Sequence, residues 1–319
     1  MTQKEFPVCD YDLAATLTSG QAFRWRLMGD AWESVIQGRW VRLRQHDSII
    51  EATTAEPQTD WRWLTDYLRL FDDHAAAQAS FPDDEPMRKA TAHCHGLRLL
   101  RQEPWECLAS FILSSTKQIV QIQQCVALLC ERFGEPIPAP ECARPRALKR
   151  AMEHGLPNSS KPRQVHLAAP GDGRTPLFAF PTATRIAAAS EAELRQSKIG
   201  FRAKYLLDAA RRVSSGQLKL NALPQLPLAD ARAALMECHG VGRKIADCVL
   251  LFSLGFDEAF PIDVWVERAL QQLYFPKRRV KRIRLERFAA THFGPHAGLA
   301  QQYLFHYLRT AKGHERARK

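Results

Sequence analysis

The feature that most constrains this chain runs from Gly240 to Asp263: Gly240-Val241-Gly242-Arg243-Lys244, an apolar helical run, then Pro261-Ile262-Asp263. Ala231, Ala234 and Leu235 recur at helical spacing before the glycines, and Ile245 to Leu254 continues that spacing after them. The pattern predicts a helix, a tight hairpin and a second helix within 229–254. Without a Cβ, Gly240 and Gly242 permit positive φ and let a phosphate approach the unpaired N–H groups that open the second helix. Arg243 and Lys244 add cations at the same place.

Lys244 falls in the first turn of that second helix, where the positive end of the dipole disfavours a charged amine, and a neutral amine is a nucleophile. By position alone it reads more readily as a surface cation touching a phosphate than as a catalyst. Cys248 shares its helix face four residues on and by itself reads as a core thiol. Asp263 precedes the helical spacing of Val264 to Leu273, so it is placed to cap that helix. A carboxylate held at a helix N-terminus stays ionised and fixed in direction, and can stabilise positive charge or take a proton.

These residues resemble the helix-hairpin-helix DNA glycosylases, whose signature is a glycine hairpin, a lysine just after it and an aspartate about one helix later. Four more segments resemble the 8-oxoguanine branch in its own order. They are Ser19-Gly20-Gln21-Ala22-Phe23-Arg24-Trp25-Arg26, Cys107 to Ser115, Gly200-Phe201-Arg202-Ala203-Lys204-Tyr205, and Ala300-Gln301-Gln302-Tyr303-Leu304-Phe305. The resemblance spans roughly residues 10–308. It implies a bifunctional DNA N-glycosylase and abasic-site lyase that removes 8-oxoguanine from duplex DNA, with Lys244 as Schiff-base nucleophile and Asp263 as its carboxylate. It also implies that Gly20 offers a carbonyl to the lesion's N7–H, that Cys248 and Phe305 flank the base, and that Gln301 meets its Watson–Crick edge. Phe201, Arg202, Gly240, Gly242 and Arg243 are the implied DNA contacts. Thr116-Lys117-Gln118, Gln121 and Trp265 depart from the asparagines, arginine and histidine of the family pattern. Those departures bear on the opposite base and one phosphate, not on the nucleophile.

Composition agrees. A formal charge of +11 and a pI near 9.4 suit a polyanionic partner. No apolar run approaches the roughly 20 residues of a membrane span, and Met1 to Leu13 has no apolar leader core. A cytoplasmic monomer is therefore expected, nucleoid-associated in a bacterium, acting on double-stranded DNA that contains oxidised guanine. The eight cysteines show no Cys-x-x-Cys pair and none follows Cys248, so neither a metal nor the four-cysteine iron–sulfur loop of related branches is expected, and no cofactor.

The expected fold class is α+β: an N-terminal antiparallel sheet domain over 1–103, then a helical helix-hairpin-helix glycosylase domain over 104–312. Strands are predicted at Phe23 to Arg26, Trp32 to Ile36 and Trp40 to Leu43, and a helix at Trp61 to Leu70. The proline-rich segment 135–176 reads as an insertion, and 313–319 as a basic tail continuing an unstructured end from Arg309. The cations of Pro276 to Arg287 read as a solvated face that also suits DNA. Two other functions compete: an alkylbase glycosylase, which generally lacks the lysine, and a DNA-binding module without chemistry.

Overall fold

The computed structural model describes residues 1–137 and 177–317, with side chains to residue 310. Almost all of the predicted insertion lies outside the described residues. Five strands form one antiparallel sheet: β1 (Thr2–Pro7), β2 (Arg26–Met28), β3 (Ala31–Ile36), β4 (Arg39–His46) and β5 (Ile49–Thr54), in the order β1-β5-β4-β3-β2. The meander follows from its turns. Gln37 and Gly38, the two residues between β3 and β4, both take positive φ (48° and 76°), the backbone of a two-residue turn whose twist matches the strands it joins.

Two strand predictions need correction. Residues Phe23 to Trp25 are not in the sheet, and β2 begins only at Arg26. The Arg24 side chain reaches across to donate to the Val35 and Phe178 carbonyls and to pair with Glu106 at 3.3 Å, tying the sheet to the helical part. β1 escaped prediction because Lys4 and Glu5 interrupt its apolar pattern; its register comes from β5, where Phe6 faces Ile50. The helix Arg62–Leu68 closes the sheet with buried Leu64, Tyr67 and Leu68, each such burial contributing about 2 kcal/mol.

Packing divides the chain differently from the expected boundary at 103. The sheet's core draws on residues between Phe6 and Leu68 and on Leu100, whereas Phe23, Ala77, Met87, Ala90, Cys94, Leu97 and Leu99 join the helical core. The helices His74–Ala79 and Glu85–His93 thus belong physically with the second half. That half contains Pro104–Leu113, Ile119–Phe133, Ala203–Ser214, the hairpin pair Leu228–Met236 and Arg243–Val249, and the helices Val264–Leu273 and Arg282–His292. The C-terminal helix runs Ala297–Ala317, so residues read as an unstructured end continue the helix well past Arg309.

Candidate active site and DNA face

The hairpin takes the predicted form, with one change in how its glycines are used. Gly240 has φ +82°, and a Cβ there would lie 2.5 Å from the Tyr205 ring. Gly242 is in ordinary extended backbone (φ −91°, ψ 176°) with open space around its missing Cβ, so it needs clearance and not left-handedness. Tyr205 stands between Phe201 and His239, with ring centroids at 6.0 and 4.8 Å. Asp247 (Oδ1) accepts from Arg232 Nε at 2.6 Å, joining the two hairpin helices through a buried carboxylate. Gly240→Ala is expected to cost about 3 kcal/mol of stability, from left-handed strain and overlap with Tyr205, read as a lower denaturant midpoint.

Lys244 is half-buried. Its Nζ donates to Ser114 Oγ at 3.1 Å and sits 5.2 Å from the Phe111 ring centroid, so the last turn of Pro104–Leu113 and its C-cap aim the amine. Cys248, one turn along the same helix, is buried. Burial pushes its thiol up to about 12, with Lys244 pulling it down and Asp263 pushing it up. The thiol is therefore a neutral wall. Asp263 caps Val264–Leu273 as predicted: Oδ1 accepts the N–H groups of Trp265 (2.9 Å) and Val266 (2.8 Å). The preceding carbonyl, of Ile262, accepts from Arg282, which also pairs with Glu286 at 3.1 Å. At least this cation of the basic run is therefore engaged by the protein itself, although it stays exposed.

The second half of the site joins the two ends of the chain. Gly20 has φ +87°, and a Cβ there would meet Ile119 Cδ1 at 2.9 Å, Arg309 at 3.0 Å and Phe305 at 3.4 Å. The turn is held by Gln21, whose fully buried amide donates to Ser19 Oγ and to the Thr16 and Arg98 carbonyls and accepts from Leu100 N–H at 2.8 Å. Phe305 is half-buried beside it. Gln301, one turn earlier on the C-terminal helix, is buried with an Oε1 that has no hydrogen-bond partner. Such an oxygen carries a desolvation cost until a donor reaches it. Burial pulls the Arg309 guanidinium below its usual range, and the Asp263 charge opposes that in part. Gly20→Ala should lower excision of the lesion about tenfold, since left-handed strain and contact with Phe305 both disturb the carbonyl. Competition between lesion and guanine duplexes would register the change as lost selectivity.

The implied DNA contacts are placed unequally. Phe201 is 50% exposed, with the Arg202 guanidinium 4.4 Å from its ring centroid. Arg202 itself is buried and turned inward, donating to the Ser115 and Ile199 carbonyls and to Thr116 Oγ1 at 2.6 Å. Thr116, in left-handed backbone (φ 57°), thus holds that arginine. Gln118 N–H donates to Gln121 Oε1 at 3.1 Å, so two of the departures from the family pattern cap Ile119–Phe133. Arg243 is exposed beside Asp247 (3.6 Å) and Glu286 (3.8 Å).

Sequence reading missed Ser114, Phe111, Gln21, Gln302 and Arg309. The first four lie in segments that carry the resemblance but have no role assigned there, and Arg309 lies one helical turn beyond Phe305 as Phe305 lies beyond Gln301.

Comparison with known proteins covers both halves. Residues 5–108 match the family described as 8-oxoguanine DNA glycosylase, N-terminal domain, and residues 109–293 match the HhH-GPD superfamily base excision DNA repair protein. A probable N-glycosylase/DNA lyase of Methanothermobacter thermautotrophicus is 26% identical over 322 residues, 95% of each chain. The solved structure of MBOgg1 in complex with a low-affinity DNA ligand is 30% identical, with a TM-score of 0.84 over 98% of this chain and 97% of that one. The Clostridium acetobutylicum 8-oxoguanine glycosylase/lyase, bound to double-stranded DNA with cytosine opposite 8-oxoG, is 25% identical, with a TM-score of 0.80 over 98% and 99% of the two chains. This chain belongs to the HhH-GPD superfamily of base excision DNA repair proteins, in the branch whose N-terminal part is the 8-oxoguanine DNA glycosylase domain.

Proposed function

We propose that this protein excises 8-oxoguanine from double-stranded DNA and cleaves the strand at the resulting abasic site, with Lys244 as nucleophile. The observation that carries the reading is a helix-borne amine aimed by Ser114 and Phe111 in the same chain as a carboxylate fixed by two backbone N–H groups at the start of the next helix. An enzyme that acts at C1′ must first flip the nucleotide, at an unstacking cost of a few kcal/mol, so the pocket must offset that cost. Phe305 and Cys248 supply apolar walls for the base. Gln301 supplies an acceptor for a donor on its Watson–Crick edge, and the guanine family presents N1–H and N2–H there.

In the chemical step the Lys244 amine attacks C1′ and the C1′–N9 bond breaks, the electron pair leaving with the base, which takes up a proton. The ionised Asp263 stabilises the positive charge developing on the sugar. Opening of the sugar ring leaves an iminium between Lys244 and C1′. Loss of a C2′ proton then expels the 3′ phosphate, cutting the strand.

The test is borohydride reduction of the protein mixed with duplexes carrying 8-oxoguanine, guanine or 3-methyladenine. A covalent adduct with the first substrate alone is expected. An adduct with the alkylated base, or tight binding without any adduct, would replace this reading with one of its two competitors.

A further inference from the structure

We infer that Arg309 is a positioning residue for lesion recognition, holding the Thr18 to Gly20 turn so that the Gly20 carbonyl faces the base; the inference rests on the proposed 8-oxoguanine activity. Its guanidinium donates to the Thr18 carbonyl at 2.9 Å and to the Ser19 carbonyl at 3.4 Å, and lies 5.4 Å from the Phe305 ring centroid. Gln302 Nε2 donates to the same Ser19 carbonyl at 3.1 Å. Two side chains of the C-terminal helix therefore grip the peptide that leads into Gly20.

The need for such a grip follows from Gly20 itself. Its φ of +87° is accessible because it has no Cβ, and that same freedom leaves the neighbouring peptide planes without any steric preference of their own. Ser19 O lies in the plane that sets the Gly20 N–H, so fixing it limits rotation of the turn. Gln21 anchors the downstream side through the buried bonds to Thr16, Ser19, Arg98 and Leu100. Arg309 and Gln302 anchor the upstream side.

Position along the helix adds a second argument. Gln301, Phe305 and Arg309 are spaced by four residues and form one stripe. In the proposed pocket the first meets the base edge and the second its face, while the third holds the turn that meets its N7 side. One rigid helix thereby sets three contacts to the same base. A fork that reaches two successive carbonyls requires the planar guanidinium; an ammonium on a flexible stem can satisfy only one in fixed geometry.

The experiment compares wild type, Arg309→Leu and Arg309→Lys in single-turnover excision of 8-oxoguanine, in selectivity over guanine, and in cleavage of a preformed abasic site. The abasic reaction uses Lys244 without a base in the pocket. For Arg309→Leu, excision and selectivity are expected to fall about 10- to 100-fold, the scale of a misplaced contact, with abasic cleavage within about twofold of wild type; Arg309→Lys should fall between. Undiminished excision by Arg309→Leu would overturn the inference, and so would a parallel fall in abasic cleavage, which would mark a general structural role. A wild type inactive on 8-oxoguanine would instead remove the functional reading itself, and this inference with it.

Discussion

Lys244→Gln is expected to lose base excision and strand cleavage together, by at least about 10³-fold, while binding the duplex with affinity close to wild type. Removing a covalent nucleophile acts on this scale, and 10³-fold corresponds to roughly 4 kcal/mol of transition-state stabilisation. Glutamine keeps most of the stem over Phe111 and retains an amide N–H that can donate to Ser114 Oγ, so the local packing survives. What disappears is the lone pair that attacks C1′. Three measurements check this: single-turnover excision, borohydride trapping and a binding isotherm with the lesion duplex. Cleavage retained by the variant would sink the Schiff-base role, and unaltered excision with lost cleavage would leave a water-using glycosylase. A non-enzymatic DNA-binding module predicts instead a modest change in affinity, and no adduct from wild type either.

The placement of Lys244 and Asp263 could be read from sequence because their structural cues are local. Asp263 follows Lys244 by nineteen positions, and each lies next to its own structural cue, a glycine hairpin or a helix start. The rest of the site is assembled from distant segments. Gly20 meets Phe305 and Arg309 only after the C-terminal helix packs against the turn that follows Leu13–Thr18, and no periodicity could announce that meeting. Resemblance supplied Gly20 and Phe305 but not Gln21, Gln302 or Arg309, whose roles are hydrogen bonds to backbone carbonyls and leave no residue pattern of their own.

The fold shows the same division. The β3–β4 hairpin follows from alternating apolar residues and its turn backbone, whereas β5 was not predicted and β1 depends on a partner about fifty residues away. Likewise a run of cations does not reveal which member is bonded to the protein itself. Arg282 is used by the Ile262 carbonyl and by Glu286, so the basic run is in part scaffold for the segment that carries Asp263. The departures at Thr116, Gln118 and Gln121 weaken an analogy in sequence, yet in the structure they hold Arg202 and cap a helix. A residue that departs from a functional pattern can thus be fully employed by the fold.

Asp263 has one observed duty, capping its helix, and one proposed duty, stabilising charge at the sugar, and substitution can separate them. Asp263→Asn keeps an Oδ1 able to accept the Trp265 and Val266 N–H groups, because asparagine is as good an N-cap as aspartate, so the melting temperature should stay within about 2 °C of wild type. The negative charge is gone, and with it the group that stabilises positive charge at the sugar. Excision should fall about 10²-fold or more, near 3 kcal/mol in the barrier, the range typical of losing one preorganised electrostatic group. Asp263→Ala removes the cap as well and should cost a further 1 kcal/mol or so of stability. If Asp263→Asn excised the base at the wild-type rate, capping alone would account for the residue and the chemistry would rest on Lys244. If it lost stability as much as Asp263→Ala does, its activity could not be assigned to charge. The contrast between the two variants therefore assigns the role: equal folding and unequal catalysis identifies the carboxylate charge, held by the start of its own helix, as the partner of the lysine.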